Sequence, residues 1–291
     1  CRVFLDIQDK HMTTKLGLIG EGISRSSAPR LHEYLGKLNG RDVTYELFDL
    51  LERPGLNPFV ALQECCDAGL RAVNVTHPFK GRVAAGLPRL SEAGKRIGTV
   101  NTVLFEEEGW IGYNTDFSGF KRGYARCFGD RAPGTVLMVG AGGVGRAVAF
   151  ALFDLNATRI LINDLKDGMA TELVDTLKGY GCDAATVANG DVAEILASAD
   201  GVANCTPIGM YQHPGIPIPA ASVGAQKWAF DAVYTPLKTE FIQAFEAAGV
   251  PILSGFELFY FQGLDAYEHF TGTTVAADIA FDEVRSWMDD R

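Results

Sequence analysis

The stretch TVLMVGAGGVGRAVAFALFDL, residues 135–155, decides the fold. A β-branched and apolar run leads into Gly140-Ala141-Gly142-Gly143-Val144-Gly145, and an apolar helical pattern follows. Strand, tight turn and helix in that order open a dinucleotide-binding α/β unit. Gly140 allows the turn, Gly142 lets backbone approach a pyrophosphate, and Gly145 lets helix and strand pack closely. The helix N-terminus adds aligned N–H groups for the anion. The glycine string alone also describes a turn that carries no nucleotide. Here, however, the next strand-like run, RILIND (159–164), ends on Asp164. A carboxylate at that place can accept hydrogen bonds from a ribose diol and would repel a 2′-phosphate. Leu165-Lys166-Asp167 supplies no Arg to cup such a phosphate, and Lys166 is the one feature against this reading. The residues favour NAD, with NADP the lesser candidate.

Working outward, apolar runs and helical patterns alternate on both sides. Upstream come a strand at 16–20, a helix at 28–39, a strand at 43–49, a helix at 57–68 and a strand at 72–76. Downstream of Asn114-Thr115-Asp116 come helices at 118–127, 144–155, from 169 and at 192–197, with strands near 185–187, at 201–204 and at 228–231. This order predicts parallel sheets covered by helices. The expected fold class is α/β and two-lobed. A parallel-type substrate domain spans 12–113 and a Rossmann dinucleotide-binding domain spans 114–248. C-terminal helices at 249–291 return to the first lobe, with Leu258, Phe261, Leu264, Ala266 and Tyr267 on one broad apolar face. The expected ligand site is a cleft at the carboxyl ends of the strands.

With 291 residues, 47% of them hydrophobic, the chain has material for two such cores. Its net charge of −10 gives no field to hold a nucleic-acid backbone or an anionic membrane, so the expected partner is a small molecule, with a homodimer left open. No apolar run approaches the ~20 residues of a membrane span, and no secretory signal is legible, so a cytoplasmic location is expected. Met12 reads as the natural start, with residues 1–11 left over from expression. The six cysteines form no C-x-x-C pair and are expected to be reduced, buried thiols, and the five histidines lack ligand spacing, so no metal is expected.

Eight spaced segments carry a resemblance. In order they are GLIGEGISRSSAPRLHE (17–33), NVTHPFK (74–80), GTVNT (98–102), NTDFSGF (114–120), GAGGVG (140–145), NCTPIGM (204–210), DAVYTPLKTE (231–240) and GFELFYFQ (255–262). From about residue 15 onward the chain resembles the shikimate dehydrogenase family, in particular its NAD-linked quinate/shikimate dehydrogenase branch. The resemblance implies a dehydrogenase acting on a ring hydroxyl of shikimate or quinate. Oxidising a carbinol requires a group that takes the hydroxyl proton while hydride leaves for the nicotinamide. Lys80 and Asp116 match the family's catalytic pair: Lys80 as proton acceptor in oxidation, Asp116 orienting it and the substrate hydroxyl. A carboxylate neighbour favours charged lysine, so a neutral Lys80 requires burial or a proton relay, and both stay open. Thr76, Asn101 and Gln262 match positions that hydrogen-bond the substrate hydroxyls, and Tyr234 one near its carboxylate. Thr206 and Pro207 join Gly140–Gly145 and Asp164 as implied cofactor contacts.

Two departures bear on the substrate. The family places two hydroxyl residues, two apart, before a Pro to hold the acid. Aligned on Pro29 and His32, these positions are Ser26 and Ala28, so one hydroxyl is missing. In GFELFYFQ, Glu257 and the aromatic run 259–261 replace other side chains, and Glu257 is expected to face solvent. A modified, for instance amino-substituted, ring acid is therefore an alternative substrate, and a catalytically silent NAD-binding regulator is an alternative of a different class.

Overall fold

The computed structural model describes residues 13–289. The reading of Met12 and residues 1–11 lies outside the described residues. The chain divides into two compact units. One comprises the residues up to Thr115 with Gly263–Ala280, the other Asp116–Gln262 with the residues from Phe281.

In the first unit the strands are β1 (Thr14–Gly20), β2 (Val43–Asp49), β3 (Ala72–Val75), β4 (Arg89–Leu90), β5 (Thr102–Leu104) and β6 (Ile111–Tyr113), and the helices are α1 (Ala28–Leu38), α2 (Pro58–Asp67), α3 (Lys80–Gly86) and α4 (Glu92–Ile97). Local chemistry sets the helix starts. Asn57 caps α2 by accepting the Phe59 N–H ahead of Pro58, and Ser91 caps α4 by accepting the Gly94 N–H. The sheet order is β2-β1-β3-β5-β6-β4. Strands β1, β2 and β3 are parallel, as the sequence predicts, while β5 runs antiparallel to both β3 and β6. That reversal is not legible in the sequence, because strands of three residues are too short to show a period. Its consequence is geometric. The N-terminal end of β5, preceded by Asn101, lies at the same edge of the sheet as the C-terminal ends of its neighbours. Fully buried Ile19, Leu62, Val73, Val83, Val100 and Val103 form the centre of this unit's core.

The second unit contains β7 (Thr135–Val139), β8 (Arg159–Asn163), β9 (Ala184–Thr186), β10 (Gly201–Asn204), β11 (Trp228–Asp231) and β12 (Ile252–Leu253), all parallel, in the order β12-β11-β10-β7-β8-β9. The order reverses direction between β7 and β10, the doubly wound pattern whose switch point holds dinucleotides. Helices α5 (Thr115–Phe128), α6 (Gly143–Asp154), α7 (Met169–Gly179), α8 (Val192–Ser198), α9 (Glu240–Ala247), α10 (Gly255–Thr271) and α11 (Phe281–Asp289) complete the chain. The two-residue β12 completes this sheet. Of residues 249–291, only Gly263–Ala280 group with the first unit.

Glycines bring α5 and α10 together. A Cβ on Gly119 would lie 2.6 Å from the Gln262 backbone nitrogen, and one on Gly123 3.4 Å from the Glu257 Cβ. Gln262 thus sits one turn along α5 from Asp116. The apolar residues expected on α10 are all buried, together with Phe256, Phe259 and Tyr260. Glu257 is buried as well, contrary to the expectation that it faces solvent. Its Oε2 accepts the N–H of Ser254, 3.0 Å away, and the Ser254 hydroxyl in a shorter bond, and Arg285 of α11 reaches Oε1 at 3.3 Å. Ser254-x-x-Glu257 is a capping box at the start of α10, so the carboxylate serves the helix end. Of the five cysteines in the described residues, all free, Cys65 and Cys182 are buried while Cys127 is exposed, which corrects the expectation of uniformly buried thiols. Among the described residues no helix is long and apolar enough to cross a membrane.

Candidate active site

One end of the first sheet gathers the site residues of that unit. Ser26 follows β1, Thr76 and Lys80 follow β3, Asn101 precedes the reversed β5, and Thr115 follows β6. Backbone bonds knit these loops together: Thr76 N–H donates to the Ile19 carbonyl at 2.9 Å, Glu21 N–H to His77 at 3.1 Å, and Val75 N–H to Asn101 at 2.8 Å. Lys80 is the first residue of α3 and half-buried. Its carbonyl accepts the Val100 N–H at 3.2 Å, which sets the start of α3 beside Asn101.

Asn101 is buried. Its Nδ2 donates to the Thr115 hydroxyl at 2.9 Å and its Oδ1 accepts the Thr115 N–H at 2.8 Å, so the amide caps the first residue of α5. Asn74 reinforces the arrangement from β3, donating to the Asn101 carbonyl and to the Thr102 hydroxyl, each at 3.1 Å, while accepting the Tyr45 hydroxyl. His32 lies on the same core, stacked on Tyr45 at 4.9 Å. Burial pushes its pKa down to about 3 against a hydrogen bond to Asn74 that raises it, so it is neutral at physiological pH. Ser26 is half-buried and its hydroxyl accepts the Ala28 N–H at 3.2 Å. Ser27 is buried at the helix cap, and Ala28 is buried too.

In the second unit every expected cofactor residue follows the C-terminal end of a strand. Gly140 has φ +100, and a Cβ there would lie 2.7 Å from the Cys205 carbonyl carbon. A Cβ on Gly145 would lie 2.1 Å from the Gly140 carbonyl oxygen. Both glycines are required by the fold. Gly142 is different: its φ of −71 is ordinary and a Cβ would meet nothing within 4 Å. The protein's own packing does not require glycine there, whereas a pyrophosphate lying against the α6 N-terminus would. The residues therefore fit a dinucleotide. Asp164 Oδ2 accepts the Ala141 N–H at 2.7 Å and Oδ1 the Lys166 N–H at 2.8 Å, so this carboxylate also fastens the glycine loop. Lys166 is exposed.

Thr206 and Pro207 lie in a turn held by Asn204, whose Oδ1 accepts the Thr206 N–H at 3.0 Å and hydroxyl at 2.7 Å. Asn204 Nδ2 donates to Asp231, its register partner on β11, at 2.9 Å. Asp231 also accepts the Val233 N–H at 3.0 Å and the Thr239 hydroxyl at 2.5 Å, fixing the segment that carries Tyr234. Burial pushes the Asp231 pKa up to about 6 despite these donors. Tyr234 is half-buried and stacks on Phe259 with ring centroids 5.0 Å apart. Asp116, in the first turn of α5, is buried, and Gln262 donates to the Phe259 carbonyl at 3.1 Å. Lys80 belongs to the first unit and Asp116 to the second. Sequence reasoning does not single out Asn74, Asn204 and Asp231 as site-forming residues. Their one visible signal is an Asn or Asp within or ending an otherwise apolar strand.

Comparison with known proteins gives the family. The family model described as the shikimate dehydrogenase substrate binding domain matches residues 18–103. The quinate/shikimate dehydrogenase (NAD(+)) of Corynebacterium efficiens is 37% identical over 274 residues, covering 90% of this chain and 94% of the relative. The shikimate dehydrogenase (NADP(+)) of Streptomyces avermitilis is 37% identical over 270 residues, covering 91% of each. Among solved structures, the quinate dehydrogenase from Corynebacterium glutamicum in complex with NAD superposes with a TM-score of 0.87 at 34% identity, covering 94% of this chain and 99% of that one. At this identity and coverage, the chain belongs to the shikimate dehydrogenase family.

Proposed function

We propose that the protein is an NAD-dependent dehydrogenase that reversibly oxidises a ring hydroxyl of shikimate or quinate to the 3-dehydro acid. The observation that carries this reading is the open space at Gly142 beside a carboxylate, Asp164, in a chain 37% identical to an NAD-linked quinate/shikimate dehydrogenase. Gly140–Gly145 and the α6 N-terminus would hold the pyrophosphate, Asp164 the ribose, and Thr206 with Pro207 the nicotinamide side. When bound, NAD accepts the hydride from the carbinol carbon. Lys80 accepts the hydroxyl proton as the carbon–oxygen double bond forms, and returns it in the reverse direction. Asp116 would hold the substrate hydroxyl. Thr76, Asn101 and Gln262 offer groups that donate and accept to a polyol without adding charge, and Ser26 with Tyr234 serves the carboxylate.

Ala28 supports a second reading, a modified ring acid that needs one hydroxyl fewer at its acid end. Absorbance assays with shikimate, quinate and an amino-substituted analogue, each with NAD and NADP, separate the two. Turnover of shikimate or quinate with NAD is expected. High activity on the analogue alone would shift the assignment to it, and NAD binding with no turnover on any acid would favour a regulator. Lys80→Ala is expected to lower turnover by orders of magnitude with NAD affinity nearly unchanged. Near-normal turnover would remove Lys80 from the chemistry.

A further inference from the structure

The loop Gly20–Ser26 crosses the end of the first sheet with few backbone partners of its own, and Asp49, the last residue of β2, supplies them. Its Oδ1 accepts the Gly22 N–H at 2.9 Å and the Leu51 N–H at 3.0 Å, and its Oδ2 accepts the Ile23 N–H at 2.9 Å. The Ser24 N–H is a fourth donor to the same carboxylate. Consecutive N–H groups converging on one anion form a nest, and charge-assisted bonds of this kind are stronger than neutral ones. Desolvation pushes the Asp49 pKa upward, yet the four N–H bonds outweigh it and hold the group below the usual carboxylate range.

The loop matters because of the hydroxyls it carries toward α1. Ala28 has no hydroxyl and Ser27 is buried, so Ser24 and Ser26 are the hydroxyls of residues 24–28 that reach the surface. Both lie on the stretch that Asp49 fastens. We infer that Asp49 is a positioning residue for substrate specificity: it presets the loop whose serine hydroxyls grip the substrate carboxylate. The inference rests on the reading of Ser26 as part of that grip. Asp49 touches neither substrate nor cofactor in this scheme. It neutralises the loop amides internally, so the acid is held by hydroxyls and not by the amides of the nest.

The test uses the full chain with Asp49→Ala and Asp49→Asn, each alone and combined with Ser26→Ala, and measures kcat, KM for shikimate, KM for NAD and thermal midpoint. Wild-type turnover of shikimate or quinate with NAD is the control for the functional reading, whichever acid is turned over serving as the substrate in the KM measurements, and absence of turnover with both overturns that reading whatever the variants do. With it present, Asp49→Ala is expected to raise the shikimate KM by about tenfold or more, leaving kcat and the NAD KM within about twofold. Asp49→Asn keeps one acceptor oxygen and is expected to fall between the two. The effect of either change is expected to shrink in the Ser26→Ala background, because the loop then has less to present. A merely structural role would lower stability and shift all three kinetic constants together. An unchanged shikimate KM in Asp49→Asn, or full additivity with Ser26→Ala, overturns the proposal. Should Asp49→Ala fail to fold, Asp49→Asn carries the same comparison.

Discussion

Replacing Gly142 with alanine separates what the fold needs from what a dinucleotide needs. The backbone at Gly142, φ −71 and ψ −165, is open to any residue, and a Cβ meets nothing within 4 Å. Reducing the freedom of the unfolded chain contributes about 0.4–1 kcal/mol of stability. Gly142 is also the N-cap of α6, where alanine is poorer than glycine by a similar amount, so the two terms offset. The net change is expected to be within about 0.5 kcal/mol, or roughly 2 °C in thermal midpoint for a unit of this size. On the ligand side the methyl group stands where the pyrophosphate must approach. Overpacking of that kind costs about 1–3 kcal/mol, which weakens NAD roughly five- to 150-fold. Gly145→Ala supplies the contrast, because its Cβ would lie 2.1 Å from the Gly140 carbonyl oxygen, a backbone atom that cannot give way cheaply. That variant is expected to lose stability first. Melting curves with and without NAD, together with the NAD KM, read both variants. If Gly142→Ala keeps both its midpoint and its NAD affinity, the glycine loop does not hold a pyrophosphate.

Three further expectations concern the cofactor, the substrate and pH. Asp164→Ala is expected to raise the NAD KM and narrow the preference for NAD over NADP; an unchanged NAD/NADP ratio of kcat/KM would show that the ribose is read elsewhere. Ala28→Ser restores the absent hydroxyl, and one hydrogen bond to a charged acid, about 1.5–3 kcal/mol, is expected to lower the shikimate KM by about tenfold or more. A KM that rises or stays level would mean the acid is not held at that place. Asp231 titrates at about 6 in the folded chain against an ordinary value near 3.8, so the folded state holds its proton more tightly than the unfolded state. Its ionisation therefore subtracts stability as pH rises from about 4 to above 6, by up to about 3 kcal/mol, and acidification restores it. Asp231→Asn keeps the acceptor for Asn204 and Val233 and gives Thr239 a donor in place of an acceptor. Denaturant titrations at pH 5 and pH 7 are expected to show a smaller stability loss toward pH 7 in the variant, and identical losses would contradict the assignment.

The longer elements are legible because their patterns are long or bounded. Strands 43–49, 201–204 and 228–231 appear in the structure with the expected limits, and the expected helices at 28–39, 57–68 and 144–155 shift by one residue at their ends. The pieces that escape are short, with no room for a period: the antiparallel β5, its neighbours β4 and β6, and the two-residue β12. Glu257 misleads for a different reason. A carboxylate in an aromatic run suggests solvent when only the run is considered, but Ser254 three residues earlier converts it into a helix cap whose acid is satisfied inside.

The candidate site is legible as residue types, whereas the means of holding it is not, and the difference comes from where loop amides find partners. Loops at the end of a parallel sheet leave backbone N–H groups beyond the last ladder bond, and each needs an acceptor. In both units a short acid or amide at a strand end supplies it: Asp49 for Gly22 and Ile23, Asn101 for Thr115, Asp164 for Ala141, Asn204 for Thr206 and Asp231 for Val233. Each is short enough to turn back on neighbouring backbone, and each sits beside a residue assigned to substrate or cofactor. In sequence these residues resemble ordinary strand ends, because the acceptor and its donors are 2 to 27 positions apart. A change at one of them leaves the reacting groups intact and still displaces them. Losses in KM with kcat preserved are therefore the signature to expect from the half-buried members of this set, Asp49 and Asp164, lost stability that from the buried Asn101, Asn204 and Asp231, and losses in kcat alone the signature of Lys80.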